Sequence, residues 1–342
     1  MNAELQKIVT APIRENLIRF EEVYRESLHS DVKLINTIIR YISRKKGKQL
    51  RPHLCLLSAG LCGEPNENTY RAAALIEMIH VATLIHDDVV DDANLRRGWP
   101  SINRVWKNKL SILVGDFMFS KALSNMIHLK DFDALEILSS TAERLSQGEI
   151  QQIEKAIKKN MTEEIYYQMV SDKTASLFSA ACKLGVMTVT EDNDKREAMA
   201  NFGEKFGLVF QIKDDLLDIT GNVEGLGKPA GFDLKKNILT LPLIYLFENL
   251  PPLEAKLVKR QLNNHVKKSE IRKIRKLIEK HGGIQFAENQ IDRVSEEAQD
   301  ELNIFPDSVY KNSLLAALKF NSHRKDRKST RLNLQSHLNL VC

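Results

Sequence analysis

Two short acidic motifs are the feature of the sequence most able to do chemistry. They read DDVVDD at 87–92 and DDLLD at 214–218, and both interrupt strongly apolar stretches. In a helix, residues four apart lie one turn apart on one face, so the first and fifth residues of each motif point together. Carboxylates gathered in apolar surroundings are unfavourable unless a cation lies between them. The two matched motifs therefore predict a metal site, although a single acidic cluster is more often a solvated helix face.

The chemistry of these side chains indicates which metal would bind. Carboxylate oxygens with few His or Cys residues nearby select hard cations. Among these, Mg²⁺ uses only one or two carboxylates per ion, keeps several waters and bridges to substrate phosphates. Two such motifs in one chain therefore predict Mg²⁺ bound together with a phosphate or a diphosphate.

Basic and polar side chains near the two motifs could hold that phosphate. Lys48 and Arg51 lie at the start of a helical stretch, where backbone N–H groups and the helix dipole favour an anion. His80 shares a helix face with the first motif, and Gln211 lies one turn before the second. Taken singly, each cation is more often a surface charge, and His80 is as often a core residue. The remaining candidates are Arg96, Arg97, Lys173, Thr174 and Lys228.

Helices must position these residues, because apolar side chains recur at helical spacing along nearly the whole chain, including the segments 163–189 and 307–320. Gly (15) and Pro (9) are too few among 342 residues for a turn-rich all-β fold. The pattern predicts an all-α, single-domain bundle of about ten or more helices over residues 1–320. The glycine-rich segment 221–236 predicts a functional loop. Residues 321–342 are interpreted as a disordered basic tail, either native or a non-native read-through.

The net charge of +5 does not describe the body of the chain. Residues 319–342 contain six Lys or Arg and one Asp, so the other 318 residues sum to zero. A second basic block, 255–281, has no aromatic residue to stack on bases, which disfavours nucleic-acid binding. No apolar run reaches the length of a membrane span, and the N-terminus lacks a signal-peptide pattern. Because the four cysteines form no CxxC motif and no disulfide framework, we expect a cytoplasmic protein.

On these motifs the sequence resembles the trans-isoprenyl diphosphate synthases, specifically the long-chain polyprenyl, octaprenyl-type enzymes. The resemblance covers about residues 1–320. The segments that carry it are GKQLRP (47–52), EMIHVATLIHDDVVDDANLRRG (77–98), Lys173-Thr174, FQIKDDLLD (210–218), and GKPAGFDL with TLPLI (227–244). Two aspartate motifs in this order, together with the GKxxRP and RRG elements, are highly specific.

The resemblance implies an isoprenoid synthase-like helical bundle around a central cavity and a homodimer. It also implies head-to-tail condensation of isopentenyl diphosphate with an allylic diphosphate such as farnesyl diphosphate, in the synthesis of a quinone side chain. Two or three Mg²⁺ ions would bridge the allylic diphosphate. By position, Asp87, Asp91 and Asp214 would ligate Mg²⁺, with Asp88, Asp215 and Asp218 in support. Arg96, Lys173 and Lys228 would hold the allylic diphosphate. Lys48, Arg51, His80 and Arg97 would hold isopentenyl diphosphate, and Thr174 and Gln211 would line the cation.

Two alternatives share part of this pattern. A terpene cyclase has the helical fold and one aspartate-rich motif, but its second metal motif normally mixes Asn, Ser and Glu. A non-catalytic subunit of a heteromeric prenyl synthase should lose one aspartate motif or the basic residues, and this chain keeps both. The chain also departs from the family at Ile238, where a lysine often stands before TLP, so one contact to the allylic diphosphate is in doubt.

The residues one turn before the first acidic motif bear on product length. In the family that the sequence resembles, a bulky aromatic side chain there closes the pocket. Here the small residues Ala82 and Thr83 occupy those positions. The resemblance therefore implies products well beyond about fifteen carbons, in the range of about thirty to forty.

We expect the Ala82→Phe variant to make shorter products than the wild type, because the ring would close the pocket. Chromatographic sizing of labelled prenyl products measures this difference. Unchanged product length would contradict the interpretation.

Overall fold

The computed structural model describes residues 3–44, 47–96, 98–221, 234, 238–262 and 268–324, and these are almost entirely helical. The helices are α1 (Ala3–Thr10), α2 (Arg14–Ser27), α3 (Lys33–Ser43), α4 (Leu50–Cys62), α5 (Glu67–Val90), α6 (Ile102–Leu129), α7 (Phe132–Lys158), α8 (Glu163–Val170), α9 (Ser176–Met187), α10 (Asn193–Thr220), α11 (Leu241–Asn249), α12 (Pro252–Leu262), α13 (Lys268–Lys280), α14 (Gly283–Asp300) and α15 (Val309–His323). A 3₁₀ turn (Ala11–Ile13) follows α1, and a π-helical turn (Ser171–Ala175) joins α8 to α9. The strands β1 (Leu95–Arg96) and β2 (Trp99–Pro100) pair antiparallel after α5. The predicted all-α class is confirmed.

The two helices that carry the acidic motifs begin at capped turns. Asn66 accepts hydrogen bonds from the backbone N–H groups of Asn68 and Thr69, and the Thr69 hydroxyl accepts from the Asn66 N–H, which forms a capping box at the start of α5. The side chain of Asp192 caps α10 through the Lys195 N–H. Such caps satisfy backbone donors that a helix N-terminus leaves unpaired. The breaks GEPN and EDND therefore fix where both long helices start.

The apolar interior of the described residues forms two clusters. One contains the buried faces of α4, α5, α9 and the first half of α10, with Phe178 and Phe202 fully buried. The other surrounds the end of α10 with α8, α11, α13 and α14. Helix α10 therefore runs from one cluster into the other, and the DDLLD motif lies on its second half.

The approach of α10 to the π turn is close because a glycine stands at the contact. A Cβ atom at Gly207 would lie 2.4 Å from the Cα of Ala175. Real Cβ atoms do not approach backbone atoms so closely, so any larger residue would push the two segments apart. The π turn is thereby held against the helix that carries the second acidic motif.

Two predicted boundaries differ from the structure. The segment 163–189, predicted as one helix, is divided by the π turn into α8 and α9. The last helix continues past residue 320 to His323, because Asn321 is 2% exposed and donates through Nδ2 to the carbonyl oxygen of Phe206 at 3.1 Å. The predicted tail boundary at 320/321 therefore falls inside α15. Residues 325–342, and the predicted loop apart from its ends, lie outside the described residues.

Two structural observations concern the predictions of a cytoplasmic protein without a membrane span. Cys55 and Cys182 are buried and Cys62 is half-buried, and all three are free thiols. Helix α6 is long and apolar enough to cross a membrane by length and composition alone, and 39% of its most apolar window is buried inside the structure.

Candidate active site

The two acidic motifs share one internal arrangement. In each, the second aspartate is buried: Asp88 is 4% exposed and Asp215 is 5% exposed. The guanidinium Nε of Arg96 donates to both carboxylate oxygens of Asp88, at 2.9 and 2.8 Å. The first and fifth positions of both motifs remain partly or fully accessible. The helical spacing therefore turns the second carboxylate of each motif inward, while the first and fifth stay accessible.

The inward carboxylate of the second motif ends a chain of hydrogen bonds. The Tyr166 hydroxyl donates to Asp215 Oδ2 at 2.6 Å, and Gln211 Nε2 donates to Asp215 Oδ1 at 2.8 Å. The Thr174 hydroxyl in turn donates to Gln211 Oε1 at 3.0 Å. Gln211 accepts from Thr174 through its amide oxygen and donates to Asp215 through its amide nitrogen, so the residues on both sides determine the orientation of the amide. The chain joins α8, the π turn and α10.

Asp87, the first residue of the first motif, lies in an unfavourable electrostatic position. Burial, together with the negative charges of Glu149 and Asp91, raises its pKa to about 6, although the positive charges of Lys173 and Arg96 act in the opposite direction. A nearby cation stabilises the charged form of a carboxylate whose pKa is raised in this way. The position of Asp87 therefore fits a metal ligand.

Lys173 lies on the π turn and reaches toward α7. Its ammonium forms an ion pair with Glu149 and donates to Gln152 Oε1 at 3.1 Å. A Cβ atom at Gly148 would lie 2.6 Å from the Lys173 backbone nitrogen, so the close approach of α7 to this turn requires glycine. Single-turn π-bulges are frequent at functional sites because they shift the register of side chains on a helix. Here the bulge places Lys173 beside the acidic residues.

An ionic cluster secures the same turn from its other side. Arg144 on α7 donates through Nε to Asp172 Oδ1 at 2.7 Å and through Nη2 to Glu204 Oε1 on α10 at 3.0 Å. Gln168 Nε2 donates to the second oxygen of Asp172 at 2.7 Å. Helices α7, α8 and α10 are thus tied to the π turn next to Lys173.

Away from the acidic motifs, a basic region lies at the start of α4 and contains Arg51, His80 and Lys48. Arg51 Nη1 is 3.1 Å from His80 Nε2, and its guanidinium lies 4.1 Å from the centre of the Phe178 ring. Burial lowers the pKa of Arg51 to about 10, partly offset by Glu77, so the group stays charged at neutral pH. Lys48 Nζ lies 4.9 Å from the centre of the Phe320 ring. GKQLRP therefore supplies positive charge against aromatic walls, as anion binding beside an apolar pocket requires.

The last described residue, Arg324, also enters the site. Its guanidinium lies 4.3 Å from the centre of the Phe210 ring, and Nη2 donates to the Phe210 carbonyl oxygen at 2.7 Å and to Asp214 Oδ1 at 2.6 Å. The Phe178 and Phe210 ring centres are 5.4 Å apart. Arg51 and Arg324 thus stack on two neighbouring rings, between the second acidic motif and the basic region.

The predicted residues divide into three groups. Those brought together around the π turn are Asp87, Lys173, Thr174, Gln211 and Asp215. Arg51 and His80 form the second region, with Lys48 on its border. Arg96, expected to hold the allylic diphosphate, forms an ion pair with Asp88. Arg97 and Lys228 lie outside the described residues.

Several residues of the site were missed by the sequence analysis. Tyr166 lies seven residues before Lys173, a helical spacing that could have indicated it. Glu149, Arg144 and Arg324 carry no such signal, because only the packing of distant helices brings them to the site. Phe210 belongs to the FQIKDDLLD motif, but the motif alone did not indicate that its ring forms part of the site.

The donor set bears on how a metal would be held. Within the described part of the chain, no group of three or more His, Cys, Asp or Glu side chains converges as a preformed metal cage. Mg²⁺ rarely uses such a cage, since it takes one or two carboxylates and completes its coordination with water and phosphate oxygens. The raised pKa of Asp87 fits this mode of binding. The residues present therefore fit Mg²⁺ held jointly by protein and substrate.

Comparison with known proteins agrees with this arrangement. The family model described as polyprenyl synthetase matches residues 32–280. All-trans-nonaprenyl-diphosphate synthase (geranyl-diphosphate specific) from Rhodobacter capsulatus is 34% identical over 322 residues, covering 92% of this chain and 97% of the relative. Octaprenyl diphosphate synthase from Escherichia coli (strain K12) is 32% identical over 290 residues, covering 85% of this chain and 90% of the relative.

A solved structure extends the comparison to three dimensions. Polyprenyl synthase from Caulobacter crescentus CB15, complexed with calcium and isoprenyl diphosphate, matches with a TM-score of 0.87 and 31% identity over 93% of this chain and 98% of that one. Fold and site thus define an all-helical synthase of the prenyl diphosphate class. The chain belongs to the polyprenyl synthetase family. The expected relationship to long-chain trans-prenyl synthases is confirmed.

The raised pKa of Asp87 predicts how metal-free stability depends on pH. The folded pKa of about 6 lies above the unfolded value of about 3.9, so ionisation between these pH values weakens the folded state. We expect Asp87→Asn to be more stable than the wild type by about 2 kcal/mol at pH 7.5, discounted for partial exposure, and no more stable at pH 4. Urea unfolding with a chelator present measures this.

The control for this prediction is Asp31→Asn, which removes the same charge from an exposed segment before α3. A stabilisation of Asp87→Asn that is equal at both pH values would contradict the prediction. So would an equal gain in the control variant.

Proposed function

We propose that this protein is a long-chain all-trans-polyprenyl diphosphate synthase that condenses isopentenyl diphosphate with an allylic diphosphate such as farnesyl diphosphate. The relatives described above are named as nonaprenyl and octaprenyl diphosphate synthases, which are long-chain enzymes of this kind, and we infer that the product of this protein serves as a quinone side chain. The observation that carries the proposal is the meeting of an acidic region and a separate basic region within one site. An enzyme that joins two diphosphates needs two anion sites of this kind.

The acidic region suits the allylic diphosphate. Asp87, Asp91 and Asp214 would hold two or three Mg²⁺ ions, and Asp88, Asp215 and Asp218 would support them. Bound Mg²⁺ acts as a Lewis acid on the departing diphosphate. Lys173, held between Glu149 and Gln152, supplies fixed positive charge where negative charge develops on the leaving group. Lys228 would assist from the glycine-rich segment, and Arg96 would act through Asp88.

The basic region suits isopentenyl diphosphate. Arg51 and His80 are in contact, and the buried guanidinium offers charge-assisted hydrogen bonds that suit a diphosphate. Lys48 and Arg97 would complete the region. The aromatic rings of Phe178 and Phe210 separate it from the acidic region and limit the access of water.

The residues between the two regions would protect the allylic cation. The Thr174 hydroxyl and the Gln211 amide oxygen hydrogen-bond to each other, so both dipoles have a defined direction. Oriented dipoles stabilise developing positive charge better than mobile water, which would also quench the cation. No side chain in the described site stands out as the base for the final proton, and the expelled diphosphate would accept it.

The exposed faces of α6 and α7 support the homodimer that the family resemblance implies. Ile127 on α6 is 73% exposed, and Ile150, Ile153 and Ile157 form an exposed stripe along α7, with Ile157 at 74%. Apolar stripes of this length usually mark an interface.

A cytoplasmic location stays a prediction from the sequence.

The activity can be tested directly. Purified protein incubated with Mg²⁺, farnesyl diphosphate and labelled isopentenyl diphosphate should yield products several isoprene units longer than the primer. Asp87→Ala should lower kcat by at least about a hundredfold, because leaving-group stabilisation is lost. Asp31→Ala is the matched control and should elongate like the wild type.

The outcomes also separate the alternatives. Cyclic products from farnesyl diphosphate alone would favour a terpene cyclase. Absence of elongation, with Asp87→Ala indistinguishable from the wild type, would reject catalysis by this chain and favour a non-catalytic subunit.

We expect the double variant Ile150→Glu/Ile157→Glu to sediment as a monomer while the wild type sediments as a dimer. Buried charge without a partner is unfavourable at an apolar interface. Leu253→Glu on α12 is the control, because Leu253 is 79% exposed but lies away from the stripe. Identical sedimentation of the wild type and the double variant would contradict the interface.

A further inference from the structure

The contact between Arg324 and Asp214 joins the end of the folded chain to the second acidic motif. Arg324 lies just after α15, and its side chain is 12% exposed, whereas the Asp214 side chain is 43% exposed. The ion pair, the Phe210 carbonyl oxygen and the Phe210 ring together determine the position of the guanidinium. A buried cation thus lies against a carboxylate that is itself partly exposed to solvent.

Contacts at the end of helix α15 hold Arg324 in this position. Asn321 bonds to the Phe206 carbonyl oxygen on α10, one helical turn before Phe210. Phe320 lies under the ammonium of Lys48 from the GKQLRP segment. The end of α15 is therefore attached both to the helix of the second motif and to the basic region.

The contact is also incomplete, which makes it replaceable. The buried Nε of Arg324 has no acceptor among the described residues. A buried donor without an acceptor costs free energy, so the guanidinium leaves part of its hydrogen-bonding capacity unused in this contact. An arrangement that frees Arg324 from Asp214 can recover that loss.

We propose that Arg324 is an internal counter-ion of Asp214 that competes with Mg²⁺ and is displaced when the metal binds. This rests on the proposed metal site. A monovalent guanidinium at Oδ1 and a divalent ion on the same carboxylate repel each other, so each lowers the affinity of Asp214 for the other. By linkage, Mg²⁺ weakens the Arg324 contact as much as Arg324 weakens Mg²⁺. Arg324 thereby neutralises the second motif until metal and diphosphate arrive.

The test measures metal binding rather than turnover. Full-length protein is titrated with Mg²⁺ at a fixed concentration of inorganic diphosphate, and the rise in unfolding temperature is followed. Arg324→Gln should reach half-saturation at about fivefold lower Mg²⁺ concentration. This factor is near the low end of the range for coupled sites, because Asp214 is partly exposed and solvent screens its charge. Arg324→Lys, which keeps the charge, should lie between the two. Lys319→Gln removes the same charge from an exposed position on α15 and should match the wild type.

A double-mutant cycle with Asp214→Asn distinguishes competition from a general charge effect. Without the Asp214 carboxylate, Arg324→Gln should no longer change the half-saturation. If the effect persists in the Asp214→Asn background, or if Lys319→Gln reproduces it, the proposal is overturned. A higher substrate KM for Arg324→Gln with unchanged metal half-saturation would also overturn it and make Arg324 a diphosphate ligand only.

A second measurement needs no variant and covers the case in which Arg324→Gln fails to fold. Amide hydrogen exchange at residues 318–324 of the wild type should become faster when Mg²⁺ and diphosphate are added. Unchanged or slower exchange overturns the displacement of Arg324. If the wild type shows no metal-dependent change in unfolding temperature, the metal site itself is rejected, which is a different failure.

Discussion

The repulsion among carboxylates in one partly buried site is the constraint on which the rest of this structure depends. Burial raises the pKa of Asp87, and the negative charges of Glu149 and Asp91 raise it further. Each acidic motif is stabilised from within by turning its second aspartate to an internal partner. Arg96 serves the first motif, and Tyr166 with Gln211 serves the second. The carboxylates that remain accessible are those for which a metal would provide the missing charge.

The π turn is where this constraint meets the packing of the fold. It lies between α7 and α10, and both helices present a glycine at the contact, Gly148 and Gly207. The bulge directs Lys173 toward Glu149 while its neighbour Thr174 bonds to Gln211. Arg144 ties the turn to both helices through Asp172 and Glu204. A cation and an oriented dipole are thus held on adjacent residues, as separation of charge in an allylic diphosphate requires.

The aromatic pair Phe178–Phe210 lies between the acidic region and the basic region. Arg51 stacks on one ring and Arg324 on the other. Stacking favours guanidinium groups at the edge of an apolar space, because the ring face attracts the cation while the ring excludes water. In the proposed reaction, the space between the acidic and basic regions would stay free of water, which would protect a reactive carbocation.

The sequence by itself determined the helical class, the acidic motifs and the candidate cations. These features are local: a period of 3.6 residues defines the helices, and a spacing of four places Asp87 with Asp91 and Asp214 with Asp218. The resemblance to the prenyl synthases rests on these same short segments.

Only the tertiary structure decided which distant residues meet. Glu149 reaches Asp87 and Lys173 because α7 approaches the π turn at Gly148, and a lone glutamate in a polar helical segment gives no sign of this. The π turn itself was invisible, since its sequence continues the helical pattern on both sides. Arg324 was assigned to a tail beyond residue 320, because α15 loses its apolar pattern there. The helix continues because Asn321 and Arg324 find partners on α10, contacts that depend on packing more than a hundred residues away in the chain.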